Sequence, residues 1–149
     1  MENLIQKNSL AKKKIIILGG STGLGHATAK AAAAEGAYVT IVSSNKSRIE
    51  NALMQLPAGS KGFAVDLNNE QEIKTFFERT GNFDHLVYTA GENLHLGKII
   101  QTDLEMARQF FNIRYWGALA AVKYSAALIN KGGSITLTSG IAGLRPGSG

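Results

Sequence analysis

Five short apolar segments alternate with helical patterns along this chain, and the alternation limits the fold more than any other feature of the sequence. The first segment, KIIIL (14–18), is a β-branched run typical of strands that are buried on both faces. The connections are short except for residues 92–101. Strands that alternate with helices in this way are joined by crossovers, so they lie parallel with helices on both faces. The sequence predicts an α/β fold built on a doubly wound parallel sheet.

Local signals set the predicted boundaries of the helices. Gly36 has the position of a C′ glycine at the end of the first helix. Ser47 and Glu50 form the capping pattern of the second helix, and Thr102 and Glu105 that of a long fourth helix. The predicted strands cover residues 14–18, 37–43, 61–67, 83–91 and 133–139, and the predicted helices cover 23–36, 47–56, 69–80 and 102 to about 129.

Composition excludes several classes of protein. A chain of 149 residues with 44% hydrophobic and 18% charged residues is expected to form one soluble domain, residues 1–149. It has no cysteine, and His85 and His95 lack metal-ligand spacing, so neither disulfides nor a metal are expected. No apolar run resembles a signal peptide or spans a bilayer, so we expect a cytoplasmic protein without a membrane partner. The net charge of +5, to which the lysines at 12–14 contribute, could indicate a nucleic-acid partner. No basic stripe interleaved with aromatic residues follows, so no nucleic-acid partner is expected.

The stretch ILGGSTGLGHATA (17–29) places four glycines between the first predicted strand and the first predicted helix. In a parallel sheet ligands bind there, because the helix amino terminus presents free N–H groups and a partial positive charge. Glycines allow a sharp turn and let a pyrophosphate touch the backbone, while Ser21 and Thr22 add hydroxyl groups that can cap the helix or bind phosphate. A plain tight turn is the alternative, but the strand–turn–helix context favours nucleotide binding.

Several segments, in order along the chain from Lys14, resemble the short-chain dehydrogenase/reductase family. GGSTGLG (19–25) looks like the cofactor loop of that family, T-G-x-x-x-G-x-G, with Leu18 where the family often has threonine. YTAG (88–91) stands where the family has N-N-A-G, and GGSITLTSGIAGL (132–144) is similar to its fifth strand and active-site loop. The resemblance implies a Rossmann-type fold and a nicotinamide dinucleotide cofactor.

Asp66 resembles the family's aspartate that contacts the adenine, although by itself it could equally be a solvated carboxylate at a strand end. The residues that the glycine turn and the resemblance together assign to the cofactor are Gly19, Ser21, Thr22, Gly23, Leu24, Gly25, Asp66, Leu67, Thr89, Ala90 and Gly91.

The end of the second predicted strand decides the choice of cofactor. An acidic residue there would bind the ribose 2′-hydroxyl of NAD. The sequence instead has Ser43, Ser44, Asn45 and Arg48, which make a better cradle for a 2′-phosphate. These residues could also serve only to cap the second helix. We expect NADP in preference to NAD.

The resemblance also marks what is missing. The family's catalytic pair, Tyr-x-x-x-Lys, lies on the helix after the fifth strand, so the alignment implies a domain that lacks its C-terminal part at Gly149. The family's catalytic serine, which polarises the carbonyl oxygen, falls on Gly140, one residue after Ser139. Ser139 is a catalytic candidate if the loop shifts by one residue. The alternative is a strand-end serine that bonds to backbone.

The fourth predicted helix contains a second departure from the family. Where the family often has an asparagine three residues before a glycine, this chain has Arg114 before Gly117. Arginine cannot accept hydrogen bonds, so it cannot copy an amide in a proton relay. It could pair with an anionic substrate or a cofactor phosphate, or be a surface arginine. The family's helix packs against its copy in a partner subunit, which implies a homo-oligomer through this helix and a packing or dimer role for Trp116.

Two functions follow from the sequence. The first is an NADP-dependent oxidoreductase that moves a hydride between the nicotinamide and a small carbonyl or alcohol substrate. The second is a dinucleotide-binding module without catalysis. The departures at Arg114 and Gly140 favour the module, whereas the glycine turn fits both functions.

Overall fold

A five-stranded parallel sheet forms the centre of the protein. The computed structural model describes residues 9–91 and 97–140. The strands are β1 (Lys14–Leu18), β2 (Tyr38–Ser43), β3 (Lys61–Ala64), β4 (Phe83–Tyr88) and β5 (Ile129–Leu137). Their order is β3-β2-β1-β4-β5, and every neighbouring pair is parallel. The chain therefore reverses its winding direction between β1 and β4, which confirms the predicted doubly wound α/β fold of Rossmann type.

The described part of the chain contains five α-helices, four of which contribute buried residues to the two faces of this sheet. They are α1 (Gly23–Ala34), α2 (Lys46–Leu53), α3 (Glu70–Thr80), α4 (Leu104–Phe111) and α5 (Ala118–Ser125). A π-helical turn (Asn112–Gly117) joins α4 to α5, and short 3₁₀ turns cover Ile99–Gln101 and Ala126–Leu128. None of the helices in residues 9–91 and 97–140 has both the length and the apolar character needed to cross a membrane.

The core has two layers, one on each face of the sheet. Ile16 and Leu18 of β1 pack against α3 and α5, where Phe77 is almost completely buried. Ile15 and Ile17 point to the other face, towards α1 and α2. β1 is thus buried on both faces, as its continuous apolar run predicted.

Local hydrogen bonds explain where α1 ends and where α2 begins. Gly36 ends α1 as predicted, with a φ of 84° and the two hydrogen bonds of a Schellman motif, from Gly36 N to Ala33 O and from Ala37 N to Ala32 O. The prediction that Ser47 caps α2 is wrong. Asn45 is the cap, because its Oδ1 accepts the N–H of Arg48 at 2.9 Å and the hydroxyl of Ser47 at 2.8 Å.

The predicted fourth helix is four elements rather than one: α4, the π-helical turn, α5 and the 3₁₀ turn at 126–128. Asp103, not Thr102, caps α4 by accepting the N–H of Met106 at 2.9 Å, while the Thr102 hydroxyl donates to the carbonyl of Lys98. The π-helical turn interrupts the helix at 112–117, and the helical path ends at Leu128 because Ile129 already pairs with β4. β5 therefore begins earlier than predicted, while β3 and β4 end at Ala64 and Tyr88, short of the predicted ends.

Asp84 of β4 forms hydrogen bonds to both neighbouring strands, β1 and β5, at the point where the pairing of β4 and β5 is irregular. The register shifts between Phe83 and His85, and the Asp84 carboxylate accepts the backbone N–H of Lys14 at 2.8 Å and the amide of Asn130 at 3.2 Å. The hydrogen bond from Lys14 is the largest influence that lowers the pKa of Asp84; partial burial opposes it, and Asn130 and nearby cations add smaller lowering contributions.

Candidate functional site

A cavity of about 290 Å³ opens at the carboxyl ends of the strands. Ligands bind at this edge in doubly wound sheets. All of the predicted cofactor residues except Asn45 line it, and Val65 and Ile113 line it as well. The lining residues are Gly19, Ser21, Thr22, Gly23, Leu24, Gly25, Ser43, Ser44, Arg48, Val65, Asp66, Leu67, Thr89, Ala90, Gly91 and Ile113. The fold therefore brings the predicted residues together, and their role toward a cofactor stays a prediction.

Gly19 brings the turn after β1 against the end of β4. Its φ is 89°, and a Cβ placed on it would lie 2.6 Å from the backbone nitrogen of Ala90. Its N–H donates to the carbonyl of Val42 at 2.8 Å, and the Thr89 hydroxyl donates to the carbonyl of Leu18 at 3.2 Å. The turn is thus fixed to both neighbouring strands, and only glycine fits at its first position.

Gly23 and Gly25 are glycines for different reasons. A Cβ on Gly25 would collide with the carbonyl oxygen of Gly19 and lie 2.5 Å from Oγ1 of Thr89, so the protein itself excludes a side chain there. Gly23 has a φ of 54°, and no atom lies within 4 Å of its Cβ direction. The expectation that glycine leaves room for a pyrophosphate is consistent with Gly23. At Gly25 close packing of α1 on the turn already takes up the space of a side chain, and the contact of its backbone with a pyrophosphate stays a prediction.

The amino terminus of α1 offers hydrogen-bond donors to the cavity. Thr22 occupies the N-cap position, but its side chain makes no cap hydrogen bond. In the described part of the chain, no acceptor binds the N–H groups of Gly23, Leu24 or Gly25, and Ser21 lines the cavity with a hydroxyl that makes no hydrogen bond to a described residue. An uncapped helix amino terminus of this kind carries partial positive charge and suits an anion such as phosphate.

The wall after β2 is polar and contains no carboxylate. Ser43, Ser44 and Arg48 line the cavity, and no ion pair engages Arg48 within residues 9–91 and 97–140. Asn45 is directed to α2 instead, because its side-chain oxygen serves as the helix cap. The alternative role of helix capping, which the sequence left open for this segment, therefore applies to Asn45. Ser43, Ser44 and Arg48 line the cavity.

Asp66 forms part of the wall after β3. Its Oδ1 accepts the backbone N–H of Asn68 at 2.9 Å and the side-chain amide of Asn68 at 3.1 Å. Its own N–H donates to the carboxylate of Glu72 at 2.8 Å. These bonds hold the half-buried carboxylate at the edge of the cavity, beside Val65 and Leu67. Val65 is an apolar strand residue like many others in the sequence, which explains why it was missed.

The wall opposite α1 comes from the π-helical turn. The Tyr88 hydroxyl donates to the carbonyl of Ile113 at 2.6 Å, and burial raises the pKa of Tyr88 well above its usual range. The phenol therefore stays a donor at neutral pH. Ile113 was missed because its place in the cavity depends on this turn, which has no local sequence signal.

Neither of the two predicted catalytic residues lines the cavity. Ser139 is exposed just after β5 and has no hydrogen bond among the described residues. Thr138, not Ser139, bonds to backbone, through its N–H and hydroxyl to the carbonyl of Tyr88. Arg114 lies next to the cavity, with its guanidinium against Gly91. A catalytic role for Ser139 or Arg114 stays a prediction.

Comparisons with known proteins show which family this chain resembles. The family model for short chain dehydrogenase matches residues 13–149. The short-chain dehydrogenase/reductase ucsE of Acremonium sp is 32% identical over 93% of this chain and 60% of its own length. The short-chain dehydrogenase/reductase ATR9 of Stachybotrys chlorohalonatus is 34% identical over 92% of this chain and 60% of its own length. A solved short-chain type dehydrogenase/reductase from Mycobacterium ulcerans has a TM-score of 0.81 and 28% identity, over 90% of this chain and 53% of that one.

The chain belongs to the short-chain dehydrogenase family. This family consists of oxidoreductases with NAD or NADP as the cofactor. The chain spans about 60% of the length of these curated relatives.

Proposed function

We propose that this chain binds NADP(H) and serves an oxidoreductase that transfers a hydride between the nicotinamide and a small carbonyl or alcohol substrate. The observation that carries the proposal is the cavity at the point where the winding direction reverses between β1 and β4. There the uncapped amino terminus of α1 lies beside the wall after β2, which contains no carboxylate. When it is bound, the nicotinamide supplies the hydride chemistry. The residues of this chain supply binding and orientation.

Each wall of the cavity has a distinct part in the proposed binding. The N–H groups at the start of α1 and the Ser21 hydroxyl hold the pyrophosphate, and Gly23 leaves space for it to approach the backbone. Ser43, Ser44 and Arg48 receive the 2′-phosphate. Asp66 and Leu67 border the adenine, as the family resemblance implies.

The same chemistry favours NADP(H) over NAD(H). A carboxylate after β2 would accept two hydroxyls of an NAD ribose and would repel a 2′-phosphate. The segment 43–48 has no acidic residue and has a cation at each of positions 46 and 48. The 2′-phosphate therefore meets donors and positive charge in this segment.

A titration with NADPH and NADH tests the proposal. NADPH should bind more tightly, and Ser43→Asp should reverse the order because it places a negative charge where the 2′-phosphate would bind. Asn51→Asp is the control, because it adds the same charge on the exposed side of α2, outside the cavity. Tighter binding of NADH to the unmodified protein, or equal effects of the two aspartates, would contradict the choice of cofactor.

A second candidate function is a dinucleotide-binding module without catalysis. The observation in its favour is the position of Ser139, which is exposed and outside the cavity, next to a glycine in place of the family's serine. Oxidation of NADPH in the presence of aldehydes and ketones separates the two functions. Turnover supports the oxidoreductase, whereas binding without turnover supports the module.

The proposed partner of this chain is a second copy, which would pack on α4 and the π-helical turn. Leu104, Phe111, Tyr115 and Trp116 are each 55–67% exposed, and the last three share one surface groove. A cluster of large apolar side chains of this kind is typical of a protein interface. It supports the homo-oligomer that the family resemblance implies.

A further inference from the structure

The Arg114 guanidinium lies flat on Gly91 at the edge of the cofactor cavity. A Cβ placed on Gly91 would be 2.7 Å from Nη1, 2.8 Å from Cζ and 3.0 Å from Nη2 of Arg114. Because these three distances are nearly equal, the plane of the guanidinium, and not its edge, faces Gly91. Gly91 does not have a positive φ, so its backbone could accept any side chain. A side chain at residue 91 would therefore have to displace the Arg114 guanidinium.

A second contact limits the movement of the same guanidinium. Cζ of Arg114 lies 4.6 Å from the centre of the Phe110 ring, within the range of a cation–π interaction. Phe110 is half-buried at the end of α4, so it offers a fixed surface. Arg114 is therefore in contact with two planar groups, the backbone of Gly91 and the ring of Phe110.

The backbone of the π-helical turn determines where Arg114 can reach. The Tyr88 hydroxyl bonds to the carbonyl of Ile113, the residue before Arg114. Gly117 closes the turn, where a Cβ would lie 2.5 Å from the carbonyl oxygen of Leu67 and 2.7 Å from the Tyr88 hydroxyl. A hydroxyl inserted at a helix carbonyl is a recognised cause of an irregular turn. The turn directs Ile113 into the cavity and Arg114 over Gly91.

We propose that Arg114 is a positioning residue of the cofactor cavity. Its guanidinium braces Gly91, the cavity residue after β4, and so fixes the wall against which the cofactor binds. The proposal rests on the proposed function, since it takes the cavity to be a dinucleotide site. It assigns Arg114 an indirect role through Gly91, in which neither the cofactor nor the substrate touches the guanidinium.

A double-mutant cycle between Gly91 and Arg114 tests this role. Gly91→Ala should raise the Kd for NADPH by roughly three- to tenfold, because the new Cβ pushes the guanidinium aside. Its urea midpoint should stay close to that of the wild type, since only the end of a flexible side chain has to move. Arg114→Ala alone should weaken binding by a similar factor. Adding Gly91→Ala to Arg114→Ala should change the Kd by less than about twofold, because the space is then open.

Two further variants complete the test. Tyr88→Phe removes the bond to Ile113 and should also weaken NADPH binding. Tyr124→Phe is its control, because its hydroxyl bonds to Glu70 at 2.5 Å, outside the cavity, and its loss should leave binding unchanged. Arg114→Lys keeps the charge but loses the plane, and should bind NADPH as weakly as Arg114→Ala.

Each outcome decides between the proposals. If Arg114→Lys binds NADPH as tightly as the wild type, the positioning role of the planar guanidinium is refuted, because a positive charge alone would then be enough for binding. Equal effects of Gly91→Ala in both backgrounds would overturn it as well, while leaving dinucleotide binding intact. If the wild-type protein binds neither NADPH nor NADH, the proposed function fails, and the positioning role fails with it.

Discussion

The different roles of Gly25 and Gly23 lead to a prediction that separates folding from cofactor binding. In Gly25→Ala the new Cβ would lie 2.5 Å from the Thr89 hydroxyl and closer still to the carbonyl of Gly19, whereas an ordinary contact begins at 3.4 Å. Helix α1 would have to retreat by about 1 Å, because the obstacles are backbone and a hydroxyl bonded to it. Overpacking of this kind costs about 1–3 kcal/mol of unfolding free energy.

Gly23→Ala should have the opposite profile. Its Cβ meets no atom within 4 Å, so the cost to folding is limited to the left-handed backbone, about 1 kcal/mol. The new methyl group would, however, enter the space proposed for the pyrophosphate. We expect NADPH affinity to fall by at least about tenfold, and further in Gly23→Val.

Urea unfolding and NADPH titration of the same variants measure the two effects. Gly59→Ala is the control, because Gly59 also has a positive φ and open space around it, but lies away from the cavity. Its φ of 98° lies outside the left-handed α region, so Gly59→Ala should cost at least as much stability as Gly23→Ala while it keeps the affinity of the wild type. If Gly25→Ala unfolds at the wild-type urea concentration, or if Gly23→Ala binds NADPH normally, the assignment of the two glycines is wrong.

Two other predictions concern stability and assembly. The pKa of Asp84 is lowered in the folded protein, so its contribution to stability is present above the unfolded value of about 3.9 and is lost as the pH falls through the lower folded value. Unfolding free energy measured across this acid range should therefore fall less steeply in Asp84→Asn than in the wild type, and equal slopes would contradict the strand-tying role. Trp116→Glu should shift the protein toward the monomer in sedimentation experiments, because it charges the exposed apolar cluster, and an unchanged mass would rule out an interface there.

The fold and most of the cavity could be predicted because their signals are local. The run KIIIL identifies a strand buried on both faces, and Gly36 marks the end of α1 by its place after an alanine-rich helix. The carboxyl ends of parallel strands meet at one edge, so Ser43, Asp66 and Thr89 come together once the strands are assigned. No knowledge of side-chain packing is needed for these steps.

The remaining features depend on contacts between residues far apart in sequence. At the π-helical turn the Tyr88 hydroxyl donates to the carbonyl of Ile113, 25 residues later. The helical pattern of 102–129 does not contain this contact and therefore predicts one continuous helix. The choice of Asn45 over Ser47 as the cap of α2 depends on where β2 ends in three dimensions. Both capping patterns are acceptable locally, and tertiary structure decides between them.

The residues that build the cavity also determine how the two proposed functions can be separated. Every residue that lines it lies between Gly19 and Ile113, whereas Ser139 and Gly140 follow β5. Hydrogen bonds among residues 18–113, such as those from Thr89 to Leu18 and from Tyr88 to Ile113, hold the cavity together. Cofactor binding should therefore be insensitive to Ser139→Ala, in the oxidoreductase and in the module alike. Turnover distinguishes the two functions, because the catalytic candidate Ser139 lies outside the set of residues that line the proposed dinucleotide cavity.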